Sequence, residues 1–99
     1  MDSRADRLDL QIDGDQIIAT GELDSYTAAL LAGALEAAST GAILDMAGVS
    51  FMDSSVLKML VEWHDRFRER GAALQLRRPS KVVVRLLEIS GLHDYFVVA

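Results

Sequence analysis

Positions 42–46 read Ala-Ile-Leu-Asp-Met, a short and almost continuously apolar run. Such a run is typical of a β-strand that is buried on both faces, as in a parallel or mixed sheet. Stretches in which apolar residues recur at helical spacing lie on either side of it, at 24–40 and 53–70. The sequence therefore predicts an α/β fold in which this strand lies near the centre of the sheet.

Capping and turn residues set the ends of the predicted elements. Asp24 or Ser25 can act as the N-cap of the first helix, which Gly41 ends, and Gly71 ends the second. We expect one domain over residues 1–99, with a mixed sheet of about five strands and helices mainly on one face. The remaining predicted elements are a hairpin at 8–20 that turns at Gly14, a strand at 72–76, a helix from Pro79-Ser80 to Ser90-Gly91, and a strand at 96–98.

Composition argues against several classes of function. The chain contains no cysteine, which excludes disulfides and thiolate catalysis, and its net charge of -5 opposes binding to nucleic acid. The first residues lack the apolar core of a signal peptide, and no stretch reaches the ~20 apolar residues of a membrane span. We therefore expect a cytoplasmic protein without membrane insertion. One basic stretch, formed by Arg77, Arg78, Lys81 and Arg85, is interpreted as solvated surface.

The residue pattern does not indicate a catalytic or metal site. Ser54 and His64 lie on the same predicted helix, ~15 Å apart along its axis, which is too far for a nucleophile and its base. His93 has neither a nucleophile elbow nor a glycine-rich phosphate loop beside it. Asp13-Gly14-Asp15 lacks the further ligands of a calcium loop and is interpreted as a turn. We expect no enzymatic activity, no metal and no cofactor.

The segment Asp53-Ser54-Ser55 lies where the second predicted helix begins. The first backbone N–H groups of a helix have no partner within it, and Asp and Ser are favoured N-cap residues. Capping alone is therefore a sufficient explanation for these residues. The residue pattern leaves open whether the segment also has a regulatory role.

Three motifs follow one another along the chain. They are Gly-Glu-Leu-Asp at 21–24 with Thr27-Ala28, Val-Ser-Phe-Met-Asp-Ser-Ser at 49–55, and Ile-Ser-Gly-Leu at 89–92. Their order and separation resemble the anti-sigma-factor antagonists of the STAS domain family almost from end to end. The resemblance implies the STAS fold, and the Phe-Met-Asp-Ser-Ser string is similar to that of the phosphorylated branch.

The resemblance also implies a mechanism and a set of site residues. The unphosphorylated antagonist binds an anti-sigma factor and so releases the sigma factor. A kinase, which is the anti-sigma factor itself, phosphorylates the serine that matches Ser54, with Ser55 as the alternative, and a phosphatase resets the cycle. The expected partner-binding residues are Asp24, Asp53, Ser54, Ser55 and Val56. For Asp24, helix capping is an equally good explanation, and the two roles are compatible.

Two departures from the family pattern affect these expectations. Val56 stands where the phosphorylated branch usually has glycine, and it is expected to add bulk where a partner must approach. The sequence ends at Ala99, so the C-terminal helix of the family is expected to be absent, and the uncovered surface would favour a homodimer, a partner contact or a shortened chain. The alternative function is a constitutive STAS scaffold or transporter-accessory module that is not regulated by phosphorylation.

Overall fold

The protein folds as a five-stranded sheet with three helices, in a computed structural model that describes residues 7–38 and 40–98. The predicted mixed α/β fold of about five strands is confirmed, although the last strand contains only two residues. The strands are β1 (Leu8–Asp13), β2 (Gln16–Leu23), β3 (Ala42–Met52), β4 (Leu74–Arg77) and β5 (Val97–Val98), and the helices are α1 (Ala28–Ala37), α2 (Ser54–Glu69) and α3 (Lys81–Ile89).

The strands are arranged in the sheet in their chain order, β1-β2-β3-β4-β5. β1 and β2 form the predicted antiparallel hairpin, which turns at Gly14 with φ 62°. The other neighbouring strands are parallel, and each of these connections contains one helix. Because such crossovers are almost always right-handed, a sheet that grows in one direction carries its helices on one face.

The core lies between this helix layer and the sheet. Ile17, Leu44 and Leu76 are neighbours on β2, β3 and β4, and all three side chains are fully buried. From α2, Leu60 and Phe67 pack against the same face and are also fully buried. The alternation of side chains along β2, β3 and β4 therefore turns one face of the sheet toward the helices.

Asp45 is the charged residue inside the central strand, and it is 1% exposed. Arg78 covers it, with the guanidinium Nε donating to Asp45 Oδ2 at 3.1 Å and a second bond from Nη2 to the same oxygen. Burial alone would raise the pKa of Asp45, but the hydrogen bonds from Arg78 and from the backbone of Ala47 outweigh it and hold the pKa below 3.8. Arg78 thus pairs with a buried carboxylate while its own side chain remains 67% exposed, so it lies at the solvated surface, as predicted, and also has a structural role.

The element bounds differ from the sequence prediction most clearly at the end of β3 and at the start of α1. β3 extends to Met52 instead of ending at Met46, because β2 continues beside it as far as the Leu23–Met52 pair. α1 begins at Ala28 instead of residue 24, since a separate turn occupies the intervening residues. The predicted end of α1 includes Ser39, which lies outside the described residues.

The second half of β3 has only one strand neighbour. β4 ends opposite Asp45, and from there to Met52 β3 pairs with β2 alone. At this point the chain turns into α3, and the N–H of Ser80 donates to the carbonyl of Met46 at 3.2 Å. The end of β3 and the start of α2 therefore project beyond the part of the sheet that contains β4.

Candidate partner-binding site

The two segments with predicted site residues meet at the carboxyl ends of β2 and β3. These strands are parallel neighbours, so the residues that follow them lie side by side. The N–H of Asp53, after β3, donates to the carbonyl of Leu23, at the end of β2, at 3.1 Å. The backbone thus fixes the Asp24 turn against the start of α2.

Asp53 is the N-cap of α2, as predicted. Its backbone is extended, with φ -95° and ψ 168°, and its Oδ1 accepts from the N–H of Val56 at 3.1 Å. The same oxygen accepts from the Ser55 hydroxyl at 2.5 Å. One carboxylate therefore stabilises the first turn of the helix and holds the second of the two serines.

Ser54 and Ser55 are both exposed, but their hydroxyl groups have different surroundings. The Ser55 hydroxyl is held by Asp53, as described above. Within the described part of the chain, the Ser54 side chain makes no hydrogen bond or ion pair. Ser54, the first residue of α2, therefore presents the hydroxyl that can react without first breaking a bond inside the protein.

Val56 lies in the core and is 0% exposed. The sequence had suggested that this side chain adds bulk at the contact surface. Instead, the third position of α2 faces inward, because the Asp53 cap orients the first helical turn with Val56 toward the buried face of the sheet. The Val56 side chain therefore adds no bulk at the surface of the free domain.

Asp24 caps the turn that precedes α1. Its Oδ1 accepts from the N–H groups of Tyr26 and Thr27, both at 2.9 Å, and the Thr27 hydroxyl donates to the carbonyl of Glu22 at 2.8 Å. The other carboxylate oxygen of Asp24 lies 3.2 Å from Arg7 Nη1. The pKa of Asp24 is lowered, chiefly by the bond from Thr27 and also by Tyr26 and the Arg7 charge. The capping interpretation of Asp24 holds for this turn and not for the helix itself.

Comparison with known proteins decides the family. The family model described as "Mlab, STAS domain" matches residues 7–99. The chain belongs to the STAS domain family. This STAS domain is 39% identical over 82 residues to the anti-sigma-B factor antagonist of Listeria monocytogenes, covering 79% of this chain and 72% of the relative. It is 35% identical to the anti-sigma-B factor antagonist of Bacillus subtilis, covering 80% and 75% of the two chains.

Solved structures confirm the fold of the STAS domain. The unphosphorylated anti-sigma factor antagonist SpoIIAA superposes with a TM-score of 0.70 at 24% identity, over 93% of this chain and 87% of that one. The phosphorylated form of SpoIIAA, from Bacillus, gives a TM-score of 0.63 at 23% identity, over 93% and 90% of the two chains. The resemblance drawn from the three sequence motifs is thereby confirmed at the level of family and fold.

Arg7 is the site residue that the sequence did not reveal. Its Nη1 lies between the carboxylates of Asp24 and Glu22, at 3.2 and 3.8 Å, and its Cζ lies 6.0 Å from the centre of the Tyr26 ring. No motif marks this residue, because it precedes the first strand and reaches the site only through the β1–β2 pairing. In the sequence, the one hint of this role is that Arg7 directly precedes Leu8, the first residue of β1.

The remaining candidates for chemistry lie apart from this site. His64 is 4% exposed, its Nδ1 accepts from the N–H of Leu74 at 3.3 Å, and its ring packs against Tyr95 and Phe96. Across residues 7–38 and 40–98, no three histidine or carboxylate side chains lie together as a metal site would require. Over the same residues, none of the helices is both long and apolar enough for a membrane span. What the STAS domain offers at the site is an exposed hydroxyl beside carboxylates, at the start of a helix.

Proposed function

We propose that this STAS domain is a cytoplasmic anti-sigma-factor antagonist controlled by phosphorylation of Ser54. In its unphosphorylated form it binds an anti-sigma factor and so releases the sigma factor. A serine kinase, the anti-sigma factor in the simplest case, adds the phosphate and ends the interaction, and a phosphatase restores it. The identity to two anti-sigma-B factor antagonists supports the class of partner. The observation that supports the regulatory part is the exposed hydroxyl of Ser54, which has no hydrogen bond to any described residue, beside the occupied hydroxyl of Ser55.

The start of α2 can accept a phosphate without refolding. A phosphoserine carries about -1.5 to -2 charges, and the N-terminus of a helix has a positive dipole end and N–H groups without helical partners. α2 is 16 residues long, and Asp53 already caps the N–H of Val56, which leaves the N–H groups of the two serines nearest to a phosphate on Ser54. The change is therefore expected at the partner surface, where a hundredfold loss of affinity needs only ~2.7 kcal/mol.

Incubation with candidate kinases and ATP, followed by mass spectrometry, tests the phosphorylation directly. The panel is the anti-sigma factors of the source organism together with the anti-sigma-B factor of Bacillus subtilis. We expect phosphate on Ser54, none on the Ser54→Ala protein, and unchanged incorporation in the matched Ser55→Ala protein. Ser54→Ala should keep its affinity for the partner, whereas Ser54→Asp should lose affinity. Phosphate on Ser55 alone, or equal binding by both Ser54 variants, would show the assignment to be wrong.

A second function is a constitutive STAS scaffold or transporter-accessory module. The observation that favours it is the fully buried Val56, which leaves the first turn of α2 without the backbone freedom of the glycine usual in the phosphorylated branch. In that case no kinase in the panel modifies or binds the protein. Purified transporter subunits would instead be retained by the immobilised wild-type domain.

A further inference from the structure

Two large aromatic side chains remain exposed next to the Ser54 site. Phe51 is 47% exposed and Tyr26 is 62% exposed. Phe51 precedes Met52, which is 5% exposed and faces the core, so strand alternation turns the phenyl ring to the opposite face. Ser54 follows Phe51 by three residues. An aromatic ring in water at the tip of a strand is not required by the packing of this fold.

The two rings belong to one continuous surface. The register of β2 and β3 places Phe51 opposite Glu22. The Glu22 carboxylate lies 3.8 Å from Arg7, whose guanidinium carbon is 6.0 Å from the centre of the Tyr26 ring. Glu22 and Arg7 therefore lie between the rings, and Asp24 fixes the turn that carries Tyr26 through the bond to its N–H. We call Phe51, Glu22, Arg7 and Tyr26 the aromatic row.

We propose that Phe51 and Tyr26 are the apolar anchors through which this domain binds its anti-sigma factor, an inference that rests on the function proposed above. Aromatic side chains are enriched among the few residues that dominate binding energy, and their rings bury large areas at low entropic cost. Among the described residues around these rings, the carboxylates of Glu22, Asp24 and Asp53 outnumber the guanidinium of Arg7. The matching surface of the anti-sigma factor is therefore an apolar pocket with a cationic rim.

The anchors also explain why a phosphate on Ser54 ends the interaction. Because Phe51 and the exposed Ser54 both lie at the carboxyl end of β3, we expect a partner on the aromatic row to extend over the start of α2. The phosphate would then be stripped of water beside apolar rings, where a dianion is poorly tolerated. The regulation therefore depends on the apolar contact and not only on the added charge.

Titration calorimetry with the anti-sigma factor that binds the wild-type domain tests the anchors. Phe51→Ala and Tyr26→Ala should each weaken binding at least tenfold, and Tyr26→Phe, which keeps the ring, should stay within threefold of wild type. Ile89→Ala is the matched control, because Ile89 is 74% exposed but lies on α3. α3 starts beside Met46, which lies ~23 Å along β3 from Asp53. From there the helix runs toward the amino ends of the strands, so Ile89 at its end lies far from the start of α2. The control should change affinity less than twofold.

The outcomes separate this inference from the proposed function. A wild-type domain that binds none of the anti-sigma factors overturns both. If the wild-type domain binds and the folded Phe51→Ala and Tyr26→Ala proteins bind equally well, only the assignment of the two anchors is wrong. The same conclusion follows if Ile89→Ala loses as much affinity as the two ring variants. Equal thermal midpoints for the variants establish that they are folded. In the Phe51→Ala background, phosphorylation of Ser54 should reduce affinity by a smaller factor than in wild type, and an unchanged factor contradicts the role of the rings in the switch.

Discussion

Replacement of Asp53 by alanine removes the N-cap of α2. The carboxylate accepts the N–H of Val56 at 3.1 Å, and loss of such a cap costs about 1 kcal/mol, within a range of about 0.5–2 kcal/mol. The negative charge at the N-terminus of the helix contributes a further ~0.3–1 kcal/mol. The sum is ~1–2 kcal/mol, and each kcal/mol corresponds to ~4–8 °C in Tm for a domain of this size. Urea unfolding followed by circular dichroism at neutral pH measures the change in free energy of unfolding.

Two further variants distinguish the cap from a general surface effect. Asp53→Asn keeps an acceptor oxygen but loses the charge, so it should recover most of the loss. Ser80 is the N-cap of α3, but its side chain makes no capping bond and its Oγ is buried without a partner among the described residues. Ser80→Ala should therefore cost little or even stabilise the protein. If Asp53→Ala unfolds at the wild-type urea concentration, or if Ser80→Ala loses as much stability, the assignment of the cap is wrong.

Two other substitutions test the core around the site. Val56→Gly deletes a fully buried isopropyl group and should lower the free energy of unfolding by ~2–4 kcal/mol in urea titrations; a loss below ~1 kcal/mol would contradict its burial. The pKa of His64 is lowered below 6.5 mainly because burial disfavours its charged form, with a smaller contribution from Arg68, while Asp65 acts in the opposite direction. The unfolded chain then binds more protons just below pH 6.5, so stability is complete above that pH and falls beneath it. Urea midpoints from pH 7.5 to 5.5 should show this fall in wild type and a smaller one in His64→Gln; identical slopes would exclude His64 as the cause.

The sequence predicted the fold well where its periodicity and turns were strong. The apolar run at 42–46, the hairpin turn at Gly14 and the helical stripe of α2 each have a local physical cause, and each occurs in the structure. The length of β3 could not be read in the same way. Its second half contains the weak strand formers Gly48 and Ser50 among stronger ones, and β2 pairs with it as far as Met52. Pairing of this kind is a property of the sheet and not of the segment.

The candidate site was predicted in part for a similar reason. Asp53 and the two serines follow local capping rules, so their positions were visible in the sequence. The roles of Arg7 and Val56 depend on tertiary neighbours. Arg7 meets Asp24 only after the hairpin has formed, and the orientation of Val56 is set by the bond between its N–H and Asp53. Exposure of Phe51 likewise depends on strand register, which the motif string does not specify.

The projecting end of β3 has a consequence for motion. Beyond Asp45 the strand is held by β2 and not by β4, so the last residues before Asp53 share fewer backbone hydrogen bonds with the rest of the sheet. Segments of this kind open locally at a lower free-energy cost than the whole domain. Amide hydrogens at 49–52 should therefore exchange with solvent sooner than those at 43–45. A kinase or partner that needs the start of α2 to shift can move this tip while the layered core stays closed.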